Sequence, residues 1–205
     1  MTAALAPATE PTTRDVILDA AERHFAERGF DGVSMREIAA DAGLRNQASL
    51  YHYFEHKQAL YEAVLQRGVG LLIDVVADTR DTGSLTSYLD RVLDYIVDHP
   101  HLAVLMQRVS LDESEAARAI VSRVVRPLFG EGVRLLGDAR DWAPEDLPHL
   151  AAGLYHLIFG YFADAALLRT VMRDDPMSTR AIARQRRFVH AAVQRLLRTD
   201  EREGA

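Results

Sequence analysis

The side chains best suited to chemistry with another molecule are concentrated in one short segment of this 205-residue sequence. Residues 45–52 carry guanidinium, amide, hydroxyl and imidazole groups, which form hydrogen bonds with base edges and phosphate oxygens. At about 100° per residue, Leu50 and Phe54 share one face of a helix, so Ala48 and Tyr51 point away from that face. Ala48 is small enough to allow close approach to a base edge or a thymine methyl. The pattern predicts an exposed helix face that contacts nucleic acid.

Further candidates lie on either side of this segment. Ser34 and the free amides of the following helix can hold a phosphate, and Arg36 can reach a base or the backbone. Lys57 stands in the first turn of a helix, where the macrodipole disfavours a cation, so either a phosphate lies nearby or the lysine is simply solvated. The candidate DNA-binding residues are Ser34, Arg36, Arg45, Asn46, Gln47, Ala48, Ser49, Tyr51, His52 and Lys57.

Three short helices position these groups, and local signals mark where each begins and ends. The first is predicted from Thr13 to Arg28, capped by Thr12 and Asp15 and ended by Gly29. The second helix begins with the S-x-x-E capping box at Ser34, and Gly43 ends it. The third is predicted from Gln47 to Phe54 with Asn46 as N-cap, and a fourth begins near residue 56.

Two short helices joined by a tight turn form the skeleton of a helix-turn-helix, in which the second helix enters the major groove. The skeleton alone also fits ordinary core packing, so the residues themselves matter. From Arg14 to Leu65 the sequence resembles the TetR family of repressors, through ILDAAERHFAERGF, SMREIAADAGL and SLYHYFEHKQALYEAVL.

The resemblance implies roles for several positions. It implies that residues 47–52 read the major groove, that Tyr51 and Lys57 contact the DNA backbone, and that the rest of the chain binds an effector and dimerises. One departure concerns the turn, since the seven residues LRNQASL separate Gly43 from Tyr51 and most members have one fewer. Which of Arg45, Asn46 and Gln47 begins the reading helix therefore stays open.

Composition limits the classes of protein that fit. A net charge of -6 and a pI near 5.7 argue against a protein that coats nucleic acid non-specifically, so any DNA contact must be local. The sequence has no cysteine, which excludes disulfides and permits a reducing compartment. Residues 1–12 have no basic start before an apolar run, so they are predicted to be a disordered tail rather than a secretion signal. Residues 200–205 are predicted to be a second disordered tail. We therefore expect a cytoplasmic protein.

The whole chain is predicted to be all-α, because apolar residues recur at three and four positions and do not alternate. We expect about nine helices in two domains, the helix-turn-helix at 13–56 and a larger effector-binding and dimerisation domain at 57–199. Gly and Pro signals predict helix breaks in the larger domain. These breaks are at Gly68 and Gly70, Thr82–Ser84, His99–Pro100, Asp112–Ser114, Gly137–Pro144 and Asp174–Ser178.

The segment from Leu150 to Leu168 is apolar nearly all round and is predicted to be one buried helix. A membrane span is the alternative, but His156 and Asp164 would be costly in a bilayer. A partner subunit can approach closely at Gly153 and Gly160, and a last helix at about Thr179–Leu197 can complete an isologous four-helix bundle; packing within one subunit is the alternative. The predicted homodimer interface comprises Gly153, Leu157, Gly160, Asp164, Ile182, Val189, Val193 and Leu196.

An effector cavity is predicted beside this helix, with Pro127 kinking the helix that spans about Ser114 to Leu136. The cavity would suit an apolar or amphipathic small molecule. The alternative is that these apolar and aromatic residues, which recur at helical spacing, belong to the hydrophobic core. Its predicted lining comprises Leu102, Met106, Gln107, Phe129, Tyr155, His156 and Phe159.

No catalytic, metal or cofactor site is expected. His52 and His56 are four apart, and His99 and His101 flank Pro100, but neither pair belongs to a metal signature. The prediction is a ligand-responsive repressor that binds a palindromic double-stranded DNA operator as a homodimer. The alternative is a helical small-molecule or lipid-binding protein with no DNA role, which would not need the exposed face around Tyr51.

Overall fold

The computed structural model describes residues 10–77, 85–137 and 142–197, and within these ranges the regular structure is entirely helical. This confirms the predicted all-α fold. The described α-helices are α1 Thr13–Arg28, α2 Met35–Asp41, α3 Gln47–Tyr51, α4 Lys57–Ala77, α5 Leu85–Asp98, α6 Pro100–Leu111, α7 Glu115–Ile120, α8 Arg126–Leu135, α9 Leu147–Ala163, α10 Ala165–Val171 and α11 Thr179–Leu196. Outside the described residues lie residues 1–9 of the predicted tail at 1–12, the predicted tail at 200–205 and the predicted break at Thr82–Ser84. Thr12, the last residue of the predicted first tail, is the N-cap of α1.

The chain divides after Val64 into two compact units. The N-terminal unit extends beyond the sequence-based boundary at residue 56, because the first two turns of α4 contribute to its core. The ring of Tyr61 lies edge-on to Phe25 at 5.0 Å and tilted against Phe30 at 5.3 Å.

The predicted first helix is confirmed at both ends. The Thr12 hydroxyl accepts from the Asp15 backbone, the Asp15 carboxylate accepts from the Thr12 N–H, and Gly29 ends the helix with φ 75°. Ile17, Ala21 and Phe25, spaced four residues apart, form an apolar stripe and are fully buried. Local capping therefore sets the bounds of α1, and burial of this stripe stabilises it.

The predicted break at Gly68 and Gly70 is wrong, since α4 continues through both residues. A Cβ built on Gly68 would lie 2.8 Å from the Leu102 Cδ1 atom of α6, so the glycine permits close packing of two helices. The Gly68 carbonyl also accepts a hydrogen bond from the Tyr95 hydroxyl at 2.8 Å. The glycine serves interhelical contact rather than helix termination.

The predicted helix from Ser114 to Leu136 is interrupted by a π-helical turn, Val121–Val125, between α7 and α8. In this turn the Arg126 N–H donates to the Val121 carbonyl, five residues back. Pro127 has no N–H and its ring crowds the carbonyl four residues before it, so a widened turn is a physical accommodation of this proline. The expected irregularity is present as a π turn.

The predicted single helix at Leu150–Leu168 is also divided, because Asp164 leaves the helical conformation and separates α9 from α10. The Asp164 carboxylate accepts a hydrogen bond from the Gln107 amide at 3.1 Å. Among the described helices none alone has the length and apolarity of a membrane span; α9 and α10 reach that threshold only as a pair, which is bent by 72°.

The last helix, α11, is tied to α5 by a cluster of charged side chains. Arg186 donates to Asp90 at 2.6 Å and to Asp94, and His190 lies 2.9 Å from Asp90. Burial raises the pKa of Asp90, but the hydrogen bonds from Arg186 and His190 outweigh this and lower it overall. The cluster fixes the position of α11 against α5.

Candidate functional site

The predicted capping box at the start of α2 is present and complete. The Ser34 hydroxyl accepts from the Glu37 backbone, and the Glu37 carboxylate accepts from the Ser34 N–H at 2.8 Å. Glu37 also pairs with Arg28 of α1 at 2.6 Å, and these hydrogen bonds lower its pKa to about 2. A second pair joins Arg23 of α1 to Asp41 of α2 at 3.0 Å. Both ends of α2 are thereby fixed against α1.

This arrangement argues against Ser34 as a phosphate ligand. Its hydroxyl and its N–H both donate to the Glu37 carboxylate, so neither is left to donate to a phosphate. Ser34 acts as a helix cap in this structure.

The turn between α2 and α3 depends on a glycine. Gly43 has φ 70°, a left-handed conformation that ends α2, and the next N–H, that of Leu44, donates to the Ala39 carbonyl at 2.9 Å. Asn46 then begins α3, because its side-chain oxygen accepts from the Ser49 N–H at 2.9 Å and from the Ser49 hydroxyl at 3.1 Å. The question left open by the longer turn is answered: α3 begins at Gln47.

The third helix is shorter than expected and ends at Tyr51 instead of Phe54. The Tyr53 and Phe54 N–H groups both donate to the Leu50 carbonyl, which closes the helix in a turn. Tyr53 is therefore 44% exposed beside Tyr51, a position that sequence reasoning missed because a continued helix would have placed it elsewhere.

The predicted division of this segment into a buried back and an exposed front is confirmed. Leu50 is fully buried and Phe54 is 5% exposed, whereas Tyr51 is 46% exposed. Ala48 and His52 are exposed as well. On the front face the Gln47 amide nitrogen donates to the Tyr51 hydroxyl at 3.1 Å, which orients both side chains.

Two arginines next to this face are available for an external anion. Within the described part of the N-terminal unit, Arg36 and Arg45 are exposed and form no ion pair. Arg23 and Arg28 are paired, and Arg14 lies over the Phe54 ring at 5.2 Å. Arg36 of α2 and Arg45 of the turn before α3 therefore carry positive charge that no acid of the described N-terminal unit pairs.

Lys57 has partners that the sequence could not reveal. Its ammonium donates to the carbonyls of Phe30 at 2.9 Å and Val33 at 3.1 Å, and lies 4.3 Å from the centre of the Phe30 ring. These contacts join α4 to the loop between α1 and α2. The carbonyl oxygens offset the unfavourable position of a cation in the first turn of a helix. Lys57 therefore has a role within the fold.

The unit that begins at Leu65 contains an apolar cavity of about 80 Å³ between α4, α5, the π turn, α8 and α9. Phe129, Tyr155 and Phe159 line it as predicted. The rings of Tyr155 and Phe159 stack at 4.7 Å.

Four other predicted lining residues lie elsewhere. Leu102 and Met106 are buried in the core, Gln107 is bonded to Asp164, and His156 is exposed. The cavity is instead lined on the α5 side by Tyr88, Leu89 and Val92. Periodicity gives the inward face of each helix, but not which inward faces border a void.

The predicted dimer residues divide into two groups. Val189 and Val193 are fully buried within the subunit, so they cannot form a surface. Gly153 and Gly160 remain open, since a Cβ on either would meet no atom within 4 Å, and Leu196 is 43% exposed. Leu157 and Ile182 are half-buried, and the Asp164 side chain is used within the subunit.

An exposed aromatic residue missed by the sequence argument accompanies these open positions. Phe188 of α11 is 55% exposed, although it adjoins the buried Val189. For metals, no cluster of three or more potential ligands occurs among residues 10–77, 85–137 and 142–197.

Comparison with known proteins finds a family match within the N-terminal unit. Residues 17–64 match the family described as bacterial regulatory proteins, tetR family. An HTH-type transcriptional repressor of Streptomyces coelicolor is 35% identical over 95 residues, which cover 46% of this chain and 47% of that protein. The chain spans about half the length of the curated relatives it matches.

Solved structures extend the similarity of fold over both units. The fatty acid degradation regulator FadR from Bacillus halodurans superposes with a TM-score of 0.70 at 16% identity, covering 89% of this chain and 96% of that one. A transcriptional regulator from Saccharomonospora viridis, solved in complex with choline, gives a TM-score of 0.64 at 19% identity, covering 88% and 95%. At these identities the agreement concerns the fold.

Proposed function

We propose that this chain is a member of the tetR family of bacterial regulatory proteins, which its residues 17–64 match, and that it is a transcriptional repressor. It binds a palindromic DNA operator as a homodimer in the cytoplasm and releases the operator when a small molecule occupies the cavity. The observation that carries the proposal is the exposed front of α3, where Ala48, Tyr51 and His52 face outward from the buried Leu50 and Phe54.

The chemistry of this front suits a DNA groove. The Gln47 amide and the Tyr51 hydroxyl form a linked pair that can bond an adenine edge or a phosphate, and Ala48 allows close approach. A chain of net charge -6 needs a local concentration of positive charge to bind a polyanion, and Arg36 and Arg45 supply it. Asn46 and Ser49 act on this surface mainly by fixing the start of α3.

The test is binding-site selection from random DNA, followed by fluorescence anisotropy with the selected duplex. We expect a palindrome whose half-sites are about one helical turn apart, roughly 34–36 Å. Arg45→Ala and Tyr51→Ala should each lower affinity about tenfold or more, which corresponds to about 1–3 kcal/mol per contact. Arg180→Ala removes an exposed arginine at the start of α11 and is the matched control. Unchanged DNA affinity in both Arg45→Ala and Tyr51→Ala would refute the proposal.

The dimer we propose joins the open positions of α9 and α11. Gly153 and Gly160 lie seven residues apart along α9 and leave space for a close helix neighbour. Phe188 and Leu196 expose apolar surface on α11. An isologous four-helix bundle would bury these residues and place two copies of α3 on one DNA duplex.

Release of DNA requires a ligand that prefers the DNA-incompetent state of the dimer. A preference of about 1–3 kcal/mol, typical of allosteric coupling, lowers operator affinity about 5- to 150-fold. The cavity beside α9 is the proposed ligand site. The choline complex of the Saccharomonospora viridis regulator is a precedent for a small ligand on this fold.

A further inference from the structure

The walls of the cavity are unusual in carrying no charge. Among the residues that the structure describes, its lining is aliphatic and aromatic apart from one glycine, and its polar side-chain atoms are the hydroxyls of Tyr88 and Tyr155. Glu131 and Arg134, whose charges both act on Tyr88, pair with each other at 2.8 Å. An ion entering the cavity would lose its hydration and find no counter-charge.

The two tyrosines differ in the hydrogen bonds they can still make. The Ser110 hydroxyl donates to the Met106 carbonyl at 2.8 Å, and Ser110 is also the side-chain hydrogen-bond partner of Tyr155. Tyr88 has no hydrogen-bond partner among the described residues, and burial raises its pKa to about 12, so it remains a neutral donor and acceptor.

Volume sets a second limit. A closed apolar cavity of about 150 Å³ holds one benzene ring. The present cavity measures about 80 Å³, so a one-ring molecule fits with a small outward movement of a wall. Val125 belongs both to the lining and to the π turn, the segment of this wall with irregular hydrogen bonding.

We infer that the effector is an uncharged molecule of about one ring, mainly apolar, with a single hydroxyl or similar neutral group that bonds Tyr88 or Tyr155. Carboxylates and primary ammonium ions, which are strongly hydrated, are excluded. The inference rests on the proposed function only in calling this ligand an effector; the selectivity of the cavity for uncharged molecules stands apart from DNA binding.

The test uses three probes with the same ring: benzyl alcohol, benzoate and benzylammonium. Isothermal titration of the full-length protein is expected to show benzyl alcohol binding once per chain. The charged probes should bind at least about a hundredfold more weakly, since burying an unpaired ion costs several kcal/mol. Equal binding of either ion, or no binding of benzyl alcohol, would overturn the inference.

Two glycines of α8 provide matched variants. Gly132 lines the cavity, Gly130 is exposed, and a Cβ on either meets no atom within 4 Å. Gly132→Leu should abolish benzyl alcohol binding, whereas Gly130→Leu, with the same gain in helix propensity, should retain it. Gly132→Asp should reverse the preference in favour of benzylammonium, and Gly130→Asp should not. Benzyl alcohol binding that survives Gly132→Leu would place the ligand elsewhere and overturn the assignment.

A DNA measurement separates this inference from the proposed function. If benzyl alcohol binds, loses its binding in Gly132→Leu and also weakens operator binding, the inferred ligand class and the proposed ligand response are both supported. If it binds in that manner and leaves operator affinity unchanged, the ligand class stands and the proposed ligand response is refuted.

Discussion

Replacing Lys57 with methionine tests whether this residue supports the fold or contacts DNA. Methionine keeps most of the apolar stem but removes the ammonium, which donates to the carbonyls of Phe30 and Val33 and lies over the Phe30 ring. A hydrogen bond to a charged group contributes about 1.5–3 kcal/mol and a cation–π contact about 0.5–1 kcal/mol. Because the ammonium is only partly buried and water can replace it at the carbonyls, we expect a net loss of about 2 kcal/mol.

The assay is amide hydrogen exchange, read by mass spectrometry in peptides from α1 and α2. A loss of about 2 kcal/mol should accelerate exchange of the most protected amides about 30-fold in the N-terminal unit. The dependence of operator affinity on salt should keep its slope, because a residue that neutralises no phosphate releases no counterion.

Arg45→Met is the matched comparison, since it removes an exposed cation that has no ion pair. It should leave exchange unchanged and reduce the salt slope by about 0.9 per protomer. The opposite pattern for Lys57→Met, with native exchange and a reduced slope, would refute the reasoning and establish a phosphate contact.

Three further predictions concern other parts of the molecule. Glu37 has its pKa lowered from 4.5 to about 2, so its stabilising effect is present above pH 4.5 and is lost as the pH falls towards 2. Glu37→Gln should therefore flatten the acid-unfolding profile measured by circular dichroism. Gly43→Ala should destabilise the N-terminal unit by about 1 kcal/mol, because φ 70° disfavours alanine, and Gly43→Asn should cost less; equal exchange rates in α2 would contradict this. Phe188→Ala should weaken dimerisation in sedimentation equilibrium without lowering monomer stability, whereas Val189→Ala should cost about 2 kcal/mol of stability; the reverse would disprove the proposed interface.

Most helix boundaries in the N-terminal unit were predictable because their signals are local. Thr12, Ser34 and Asn46 each cap a helix through an atom three residues further along the chain. The predictions failed where a residue's effect depends on a distant partner. Glycine often ends a helix, but Gly68 lies inside α4 and allows close contact with α6, because Leu102 of α6 packs against it.

The sequence by itself determined the helical class, the bounds of α1 and the buried side of residues 47–54, since each depends on spacing within a few turns. Only the tertiary structure decided that Lys57 bonds carbonyls 24 and 27 residues away, that Val189 lies inside the subunit, and that Tyr88 borders the cavity. A periodic pattern shows which side of a helix is apolar. Which surface then covers that side depends on how the helices pack, and this is a property of the folded chain as a whole.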